Sequence, residues 1–289
     1  MSTNGKLIIV PTPIGNLGDM TLRALDALRD ADVVCAEDTR VTGKLLAALG
    51  VEGKRLERLD ENVMGQRTDS LVERVQAGEV IAYCSDAGMP GVSDPGLRLV
   101  AAMRDADCAV EVLPGPSAAV TAYVASGTTA PSFYFGGFFP RKSKARLDAL
   151  NALRGLEAAL VFYESPNRLT SALRDIAEVF PQRIIAVCRE LTKLHEEVAR
   201  GKARELAGEF ASRESVKGEI VIVVDAPAKA EETEAVDPAA IRTHAAELIA
   251  SGERSKAVAK QLAQQFGIPR NEAYDIALAA QAEHRGANT

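Results

Sequence analysis

The sequence predicts an α/β protein in two parts, closed by a small helical module, and three observations predict it. Short apolar runs alternate with segments of helical period as far as residue 226. Gly/Pro-rich loops follow three of the first four apolar runs. A stretch rich in Pro, Ala and Glu, from Ala226 to Pro238, then separates off an amphipathic helical tail.

In chain order, Leu7 to Val10 reads as a buried strand. The helix after it carries Leu22, Leu25 and Leu28 on one face, with Asp19 or Thr21 as cap. A second strand falls in Asp32 to Asp38, and a helix runs from about Thr42 to Leu49. A third helix around Ser70 to Gln76 stops at Gly78 before the strand Glu79 to Ser85. Pro95 to Asp105 forms the next helix and Cys108 to Gly115 the fourth strand. Strands alternating with helices of this length indicate βαβ units and a largely parallel sheet.

A second α/β set follows. Its strands lie in Ser132 to Phe138, Ala158 to Ser165, Arg183 to Leu191 and Gly218 to Ala226. Helices are expected near Lys144 to Leu153, Leu169 to Val179 and Ala203 to Ala211. The expected domains are therefore 1–117 and 118–226, a linker at 227–237 and a helical module at 238–289. In that module Ser255 and Asn271 are expected as N-caps, and Gly267 closes a helix before the turn at Gly267-Ile268-Pro269.

A length of 289 residues suits about two domains, and 47% hydrophobic with 26% charged residues is an ordinary globular composition. The first apolar run stops after four residues at a proline, too soon for a signal-peptide core, and no run reaches the roughly 18 apolar residues of a membrane span. A cytoplasmic protein is expected. Cys35, Cys84, Cys108 and Cys188 form no CxxC pair and sit in or beside apolar runs, so buried reduced thiols are expected. With only three His, no metal site is expected. A net charge of −6 excludes a uniformly basic coat and leaves nucleic-acid contacts to local patches.

The three Gly/Pro loops are Val10 to Asp19, Ser85 to Gly96 and Leu113 to Ala119. In open α/β sheets ligands collect at the carboxyl ends of strands. Glycine permits close backbone approach and proline stiffens the loop, so three such loops make a rigid wall of N–H and C=O groups. That wall suits an adenosine and a sulfonium. Glu37 and Asp38 lie about 20 residues past the first loop, where a dinucleotide fold places its ribose-binding acid. The loop holds Gly15 and Gly18 but no GxGxxG, and Pro11 and Pro13 interrupt it. It has no GxxxxGK[ST] either.

The segments PTPIGNLGDMTLRALDAL, AEDTR, YCSDAGMPGVSDPG, LPGPSAAVTA, GGFFPRK and FYESPNRL together resemble the RsmI family. These are rRNA cytidine 2′-O-methyltransferases on the tetrapyrrole-methylase-like (class III) fold. The resemblance covers essentially the whole chain. It implies two α/β domains of the tetrapyrrole methylase type, usually in a homodimer, with S-adenosyl-L-methionine in the cleft between them. It implies cofactor contacts from Ile14 and Gly15, from Asp86, Ala87, Gly88, Gly91 and Val92, from Ser117 and Ala118, and from Tyr163 and Glu164. It also points to a cytidine in the decoding region of 16S rRNA, presented as rRNA or as the 30S subunit. The second loop reads DAGMP here, against GGDP in relatives that methylate tetrapyrroles.

A ribose hydroxyl needs a base, or a cation for the emerging alkoxide. Two strand-end clusters offer such groups: Glu37, Asp38, Thr39 and Arg40, and Arg189, Glu190, Thr192, Lys193, His195 and Glu196. The catalytic candidates are Asp38, Arg40, Lys193, His195 and Glu196. Arg141, Lys142, Lys144 and Arg146, beside Phe138 and Phe139, form a candidate RNA platform, with Arg168 adding charge. The tail resembles a helix-turn-helix with Lys256, Lys260 and Arg270 as its cations. Two rival functions are a tetrapyrrole or other small-molecule methyltransferase of the same fold, and a non-enzymatic nucleic-acid-binding regulator.

Overall fold

The computed structural model describes residues 5–227, 238–251, 253–266 and 270–287. The chain divides into two compact units, Met1–Ala226 and Pro227–Thr289.

The first unit begins with β1 (Lys6–Ile9), α1 (Leu22–Asp30), β2 (Val33–Ala36), α2 (Thr39–Ala48), β3 (Leu56–Arg58), α3 (Glu61–Gln76), β4 (Val80–Cys84), α4 (Gly96–Asp105) and β5 (Ala109–Val112). The five strands form one sheet in the order β3-β2-β4-β1-β5, with every neighbour parallel. Leu7, Ile9, Val33, Cys35, Ile81 and Tyr83 pack on one face against α3 and α4 through Leu71, Val75, Leu99 and Met103. The alternate residues Ile8, Val34, Ala82 and Cys84 pack on the other face against Ala24, Leu28 and Leu46. Burial on both faces is why these strands read as unbroken apolar runs. Thr21 caps α1, accepting the Ala24 amide at 3.1 Å. Asp38 caps α2, which therefore starts three residues earlier than expected.

The unit continues with α5 (Ala118–Ala125), β6 (Phe133–Phe138), α6 (Ser143–Ala152), β7 (Ala159–Glu164), α7 (Pro166–Val179), β8 (Ile184–Arg189), β9 (Glu197–Lys202), α8 (Ala203–Ser212) and β10 (Ile220–Val224). The sheet order is β6-β7-β10-β8-β9. Only β6 and β7 run parallel; the other pairs are antiparallel. One face packs against α6, α7 and α8. The other packs against α5 and, from the first half of the chain, against Ile14.

Three elements were not expected. β3 is three residues long and carries two charges. β9 alternates half-buried and exposed residues, so its charged sequence resembles a loop. α5 is apolar except at Thr121 and lies where only a boundary was read.

The second unit holds α9 (Pro238–Ala250), α10 (Ser255–Phe266) and α11 (Arg270–Ala287). It has its own core, which includes Ile241, Ile249, Val258, Leu262 and Ala277. α10 starts at Ser255, but Arg254 rather than Ser255 takes the cap position, its carbonyl accepting the Val258 amide, and the Ser255 hydroxyl donates to Gln281 Oε1 at 2.7 Å. Asn271 lies inside α11 rather than capping it. The expected linker's residues 228–237 and the Gly267-Ile268-Pro269 turn lie outside the described residues.

Candidate active site

The loops following β1, β4 and β5 converge at the carboxyl ends of the first sheet. Thr12 and Gly88 exchange backbone hydrogen bonds of 3.0 and 3.1 Å, clasping the first loop to the second. The Thr12 hydroxyl, almost fully buried, donates to the Ser85 carbonyl at 3.3 Å. Asp94 accepts the Gly91 amide at 2.8 Å and the Gly96 amide at 2.7 Å, so its carboxylate holds the second loop closed on itself. Between them Ser93 takes the left-handed region, at φ 72°, a conformation that costs a non-glycine residue about 1 kcal/mol or more. Asp86 Oδ1 accepts the Asp38 amide at 3.0 Å, tying this loop to the end of β2.

Facing these loops are the ends of β7 and β10. Between them lies a cavity of about 400 Å³, within the range of small-molecule sites. The first sheet contributes Ile14, Glu37 and residues of the Ser85–Asp94 loop. The second contributes Tyr163, Glu164, Cys188, Glu219 and their neighbours, with Phe138 from β6, and Ser117 and Ala118 at the start of α5. Phe138 is 62% exposed, set edge-on to Tyr163 with ring centres 5.5 Å apart. Glu164 is buried: its Oε1 accepts the Ser165 amide at 2.6 Å and Arg168 Nε at 2.7 Å. Glu164 Oε2 is buried with no partner among the described residues.

Several of these groups are electrostatically perturbed. Burial pushes the Glu37 carboxyl up to about 7, with Asp94 and Asp86 adding to the rise. Burial also raises the Tyr163 phenol, and it raises the Cys188 thiol to about 12.

Residues 6–207 match the family of Tetrapyrrole (Corrin/Porphyrin) Methylases. A protein of Halalkalibacterium halodurans called "Ribosomal RNA small subunit methyltransferase I" is 42% identical over 277 residues, covering 94% of this chain and 94% of that protein. Its namesake in Escherichia coli O157:H7 is 40% identical, covering 97% of each chain. This chain belongs to that family. Among solved structures, diphthine synthase aligns with a TM-score of 0.60 at 16% identity, covering 76% of this chain and 90% of that one. Uroporphyrin-III-C-methyltransferase from Thermus thermophilus gives 0.55 at 24%, covering 76% and 94%. These two likenesses are likenesses of fold.

As a member of the small-subunit methyltransferase I family, the chain is a methyltransferase, and the residues expected at its site are placed as follows. Ile14, Asp86, Ala87, Gly88, Val92, Ser117, Ala118, Tyr163 and Glu164 line the one cavity. Gly15 lies instead against Lys193, and Gly91 forms part of the loop closed by Asp94. Sequence reasoning passed over Asp94 and Glu219, and it placed Phe138 on the RNA platform without linking it to this cavity. The SDPG and FFPRK strings flag Asp94 and Phe138, but no local pattern links Glu219 to this cavity.

The catalytic candidates are dispersed. Asp38 is engaged by Arg40 in a two-pronged pair, Oδ1 to Nε at 3.0 Å and Oδ2 to NH2 at 2.6 Å. Hydrogen bonds from Arg40 hold the Asp38 carboxyl well below the usual carboxylate range. Lys193 Nζ lies between Glu190 (2.7 Å) and Glu219 (2.8 Å). Glu196 accepts the Thr192 amide at 2.6 Å, and His195 is exposed.

The RNA platform needs correction at two positions. Arg146 is buried, bonded to Asp175, to the carbonyls of Pro140 and Arg141 and to Ser171, so it presents no charge to a phosphate. Phe139 is also buried, stacked on Phe162 in the core. A helix that packs one face inward carries every third or fourth residue with it, and Arg146 falls on that face. Arg141, Lys142 and Lys144 are exposed and form no ion pair among the described residues. Arg168 is paired with Glu164 at 2.5 Å. Among the described residues no cluster of His, Cys, Asp or Glu is arranged to hold a metal, and no helix is long and apolar enough to cross a membrane.

Proposed function

We propose that this chain transfers a methyl group from S-adenosyl-L-methionine to the ribose 2′-hydroxyl of a cytidine in the decoding region of 16S rRNA. The observation that carries this reading is near-full-length similarity, at about 40% identity, to proteins named for small-subunit rRNA methylation. A cavity of cofactor size beside an exposed cationic loop supports it.

The cavity residues fit the cofactor. Glu164 Oε2 is a buried acceptor awaiting a donor, which an adenosine or an ammonium group provides. The backbone of Asp86, Ala87 and Gly88, with Ile14, Val92, Ser117, Ala118 and Tyr163, would hold the adenosyl moiety among main-chain groups. When bound, the cofactor supplies an activated methyl group. The chain supplies alignment of acceptor oxygen, methyl carbon and sulfur, which accounts for much of the acceleration in an in-line transfer. The cations beside the cavity walls are neutralised, Lys193 by two glutamates and Arg168 by one, so neither would set an unpaired positive charge against a sulfonium.

Arg141, Lys142 and Lys144 serve as phosphate contacts, with Phe138 as a stacking surface at the cavity mouth. The parts 1–117 and 118–226 act as the two walls of the site, and the helical unit assists docking on the subunit. The protein works in the cytoplasm as a homodimer.

The test incubates purified protein and labelled S-adenosylmethionine with 30S subunits, with naked 16S rRNA and with a porphyrinogen, and maps product ribose methylation by mass spectrometry. Label is expected on one cytidine 2′-oxygen in an RNA arm. Label on the porphyrinogen alone overturns the reading, as does calorimetry that finds no binding of S-adenosylmethionine. A truncation after Ala226 is expected to keep cofactor affinity and lose rRNA affinity.

A further inference from the structure

Methylation of a ribose hydroxyl leaves a proton to be taken up, and the cavity offers few groups to take it. Its acidic residues are Glu37, Asp86, Asp94, Glu164 and Glu219. Asp94 is spent on the Gly91 and Gly96 amides. Asp86 is exposed and anchors α2 through the Asp38 amide. Glu164 engages Ser165 and Arg168 through Oε1, its open Oε2 being the oxygen assigned to the cofactor, and Glu219 is engaged by Lys193. The Cys188 thiol and the Tyr163 phenol are both pushed up by burial, away from service as bases near neutrality.

Glu37 remains. It stands at the carboxyl end of β2, half-buried, without an ion pair among the described residues. The groups that face it all disfavour its negative charge, except one backbone amide. They are Asp86 after β4, Asp94 before α4 and Asp60 at the cap of α3, while the Asp86 amide pulls the other way. Cys84 and Tyr83, on the adjacent strand, also feel its charge.

A second observation marks the same corner. Tyr83 is fully buried, and its hydroxyl has no hydrogen-bond partner among the described residues. Its ionisation is suppressed by burial first and then by Asp94 and Glu37, and its ring and Asp94 both border Gly96, where a β-carbon would lie 3.1 Å from Tyr83 Cε1 and 2.8 Å from Asp94 Oδ1. A buried donor left unmet in the field of two carboxylates belongs to a site completed by a further polar group. This corner adjoins the β6 bulge. A β-carbon placed on Gly137 would lie 3.9 Å from Ser93 Oγ, and the exposed ring of Phe138 follows. Phe138 and Glu37 line the same cavity, so a nucleotide stacked on Phe138 enters the cavity that holds Glu37.

We propose that Glu37 is the catalytic base that takes the proton from the acceptor hydroxyl. The inference deepens the methyl-transfer reading and rests on it. As the acceptor oxygen forms its bond to the methyl carbon, the carbon–sulfur bond breaks and its electron pair stays on sulfur. The hydroxyl proton passes to a Glu37 carboxylate oxygen and leaves to solvent after product release. A base with an affinity for protons near neutrality suits the task at cellular pH.

The experiment compares wild type with Glu37→Gln on 30S subunits that lack the modification. The expected fall in kcat for Glu37→Gln is roughly 10²–10⁴-fold, with calorimetric affinities for S-adenosylmethionine and for the subunit unchanged. In wild type, kcat rises with pH through about 7 and then levels as Glu37 becomes charged. In Glu37→Gln that step is absent. Independently of turnover, NMR of protein carrying carboxyl-¹³C glutamate is expected to show one side chain titrating near 7, lost in Glu37→Gln. Turnover within a few-fold of wild type in Glu37→Gln overturns the proposal. A carboxyl spectrum with nothing titrating near neutrality overturns it as well. If wild type methylates no RNA, the broader reading fails instead, and the NMR titration still reports on Glu37.

Discussion

Arg146 on α6 sits 2.6 Å from the Asp175 carboxylate on α7, with 3% of its side chain open to solvent. Its remaining donors meet two carbonyls and the Ser171 hydroxyl. This guanidinium fastens the loop after β6 to the helices behind it.

Replacing Arg146 by Ala leaves Asp175 to the Ser143 hydroxyl and strands both carbonyls, and removing one partner of a buried pair typically costs about 3–5 kcal/mol. Arg146→Lys keeps the charge but not the fork of donors, and falls between. Chemical denaturation of both variants checks the order.

Arg141→Ala, Lys142→Ala and Lys144→Ala behave oppositely. Stability stays within about 0.5 kcal/mol, as for most surface changes. Each lost phosphate contact lowers the slope of log affinity against log salt by about 0.7–0.9. Titrating rRNA binding at several KCl concentrations measures it.

Gly115 and Gly15 lie against different kinds of neighbour. A β-carbon on Gly115 would lie 2.3 Å from Pro11 Cγ, a ring fixed to the first loop. Gly115→Ala must displace that loop, with a loss of about 1–3 kcal/mol and weaker S-adenosylmethionine binding. At Gly15 the obstacle is Lys193 Cγ, at 2.4 Å, part of a flexible chain. Gly15→Ala swings Lys193 away from Glu190 and Glu219 and costs less. Melting curves with and without the cofactor separate the two.

Glu164→Gln puts an amide where a buried acceptor stands unpaired. One of its two orientations then sets donor against donor when the ligand binds. Losing a hydrogen bond to a charged acceptor is worth about 1.5–3 kcal/mol, so S-adenosylmethionine affinity is expected to fall roughly ten-fold or more, read by calorimetry.

Glu37 also carries a stability signature. Its folded-state proton affinity is raised to about 7 from 4.5, so between those values the folded chain binds more protons than the unfolded one, and stability falls as pH rises. Glu37→Gln removes this cost and is expected to be more stable than wild type at pH 8 and similar at pH 4. Because Glu37 is only half-buried, solvent screening limits the gain to about 1 kcal/mol, or roughly 2–4 °C. A lower melting point for the variant at pH 8 contradicts the assignment.

The sequence by itself determined the two-part α/β fold, the chain order of the ligand loops and the family, because these reside in local records. Strands buried on both faces must be apolar throughout, and tight loops need Gly and Pro at fixed places. Ile14, the Asp86–Gly88 turn and Ser117 could be named because the strings that hold them resemble the family's motifs, and they share one cavity. Only the tertiary structure decided which charges are free. Arg146 reads like Lys144 in the string, yet helix rotation buries one and exposes the other. Asp38 and Glu37 are adjacent, but capping α2 and pairing with Arg40 occupy the first, while the turn at the strand end directs the second into the cavity. A charge acquires its role from distances to residues far along the chain, here Asp86, Asp94 and Tyr83, and those distances exist only once the sheet has formed.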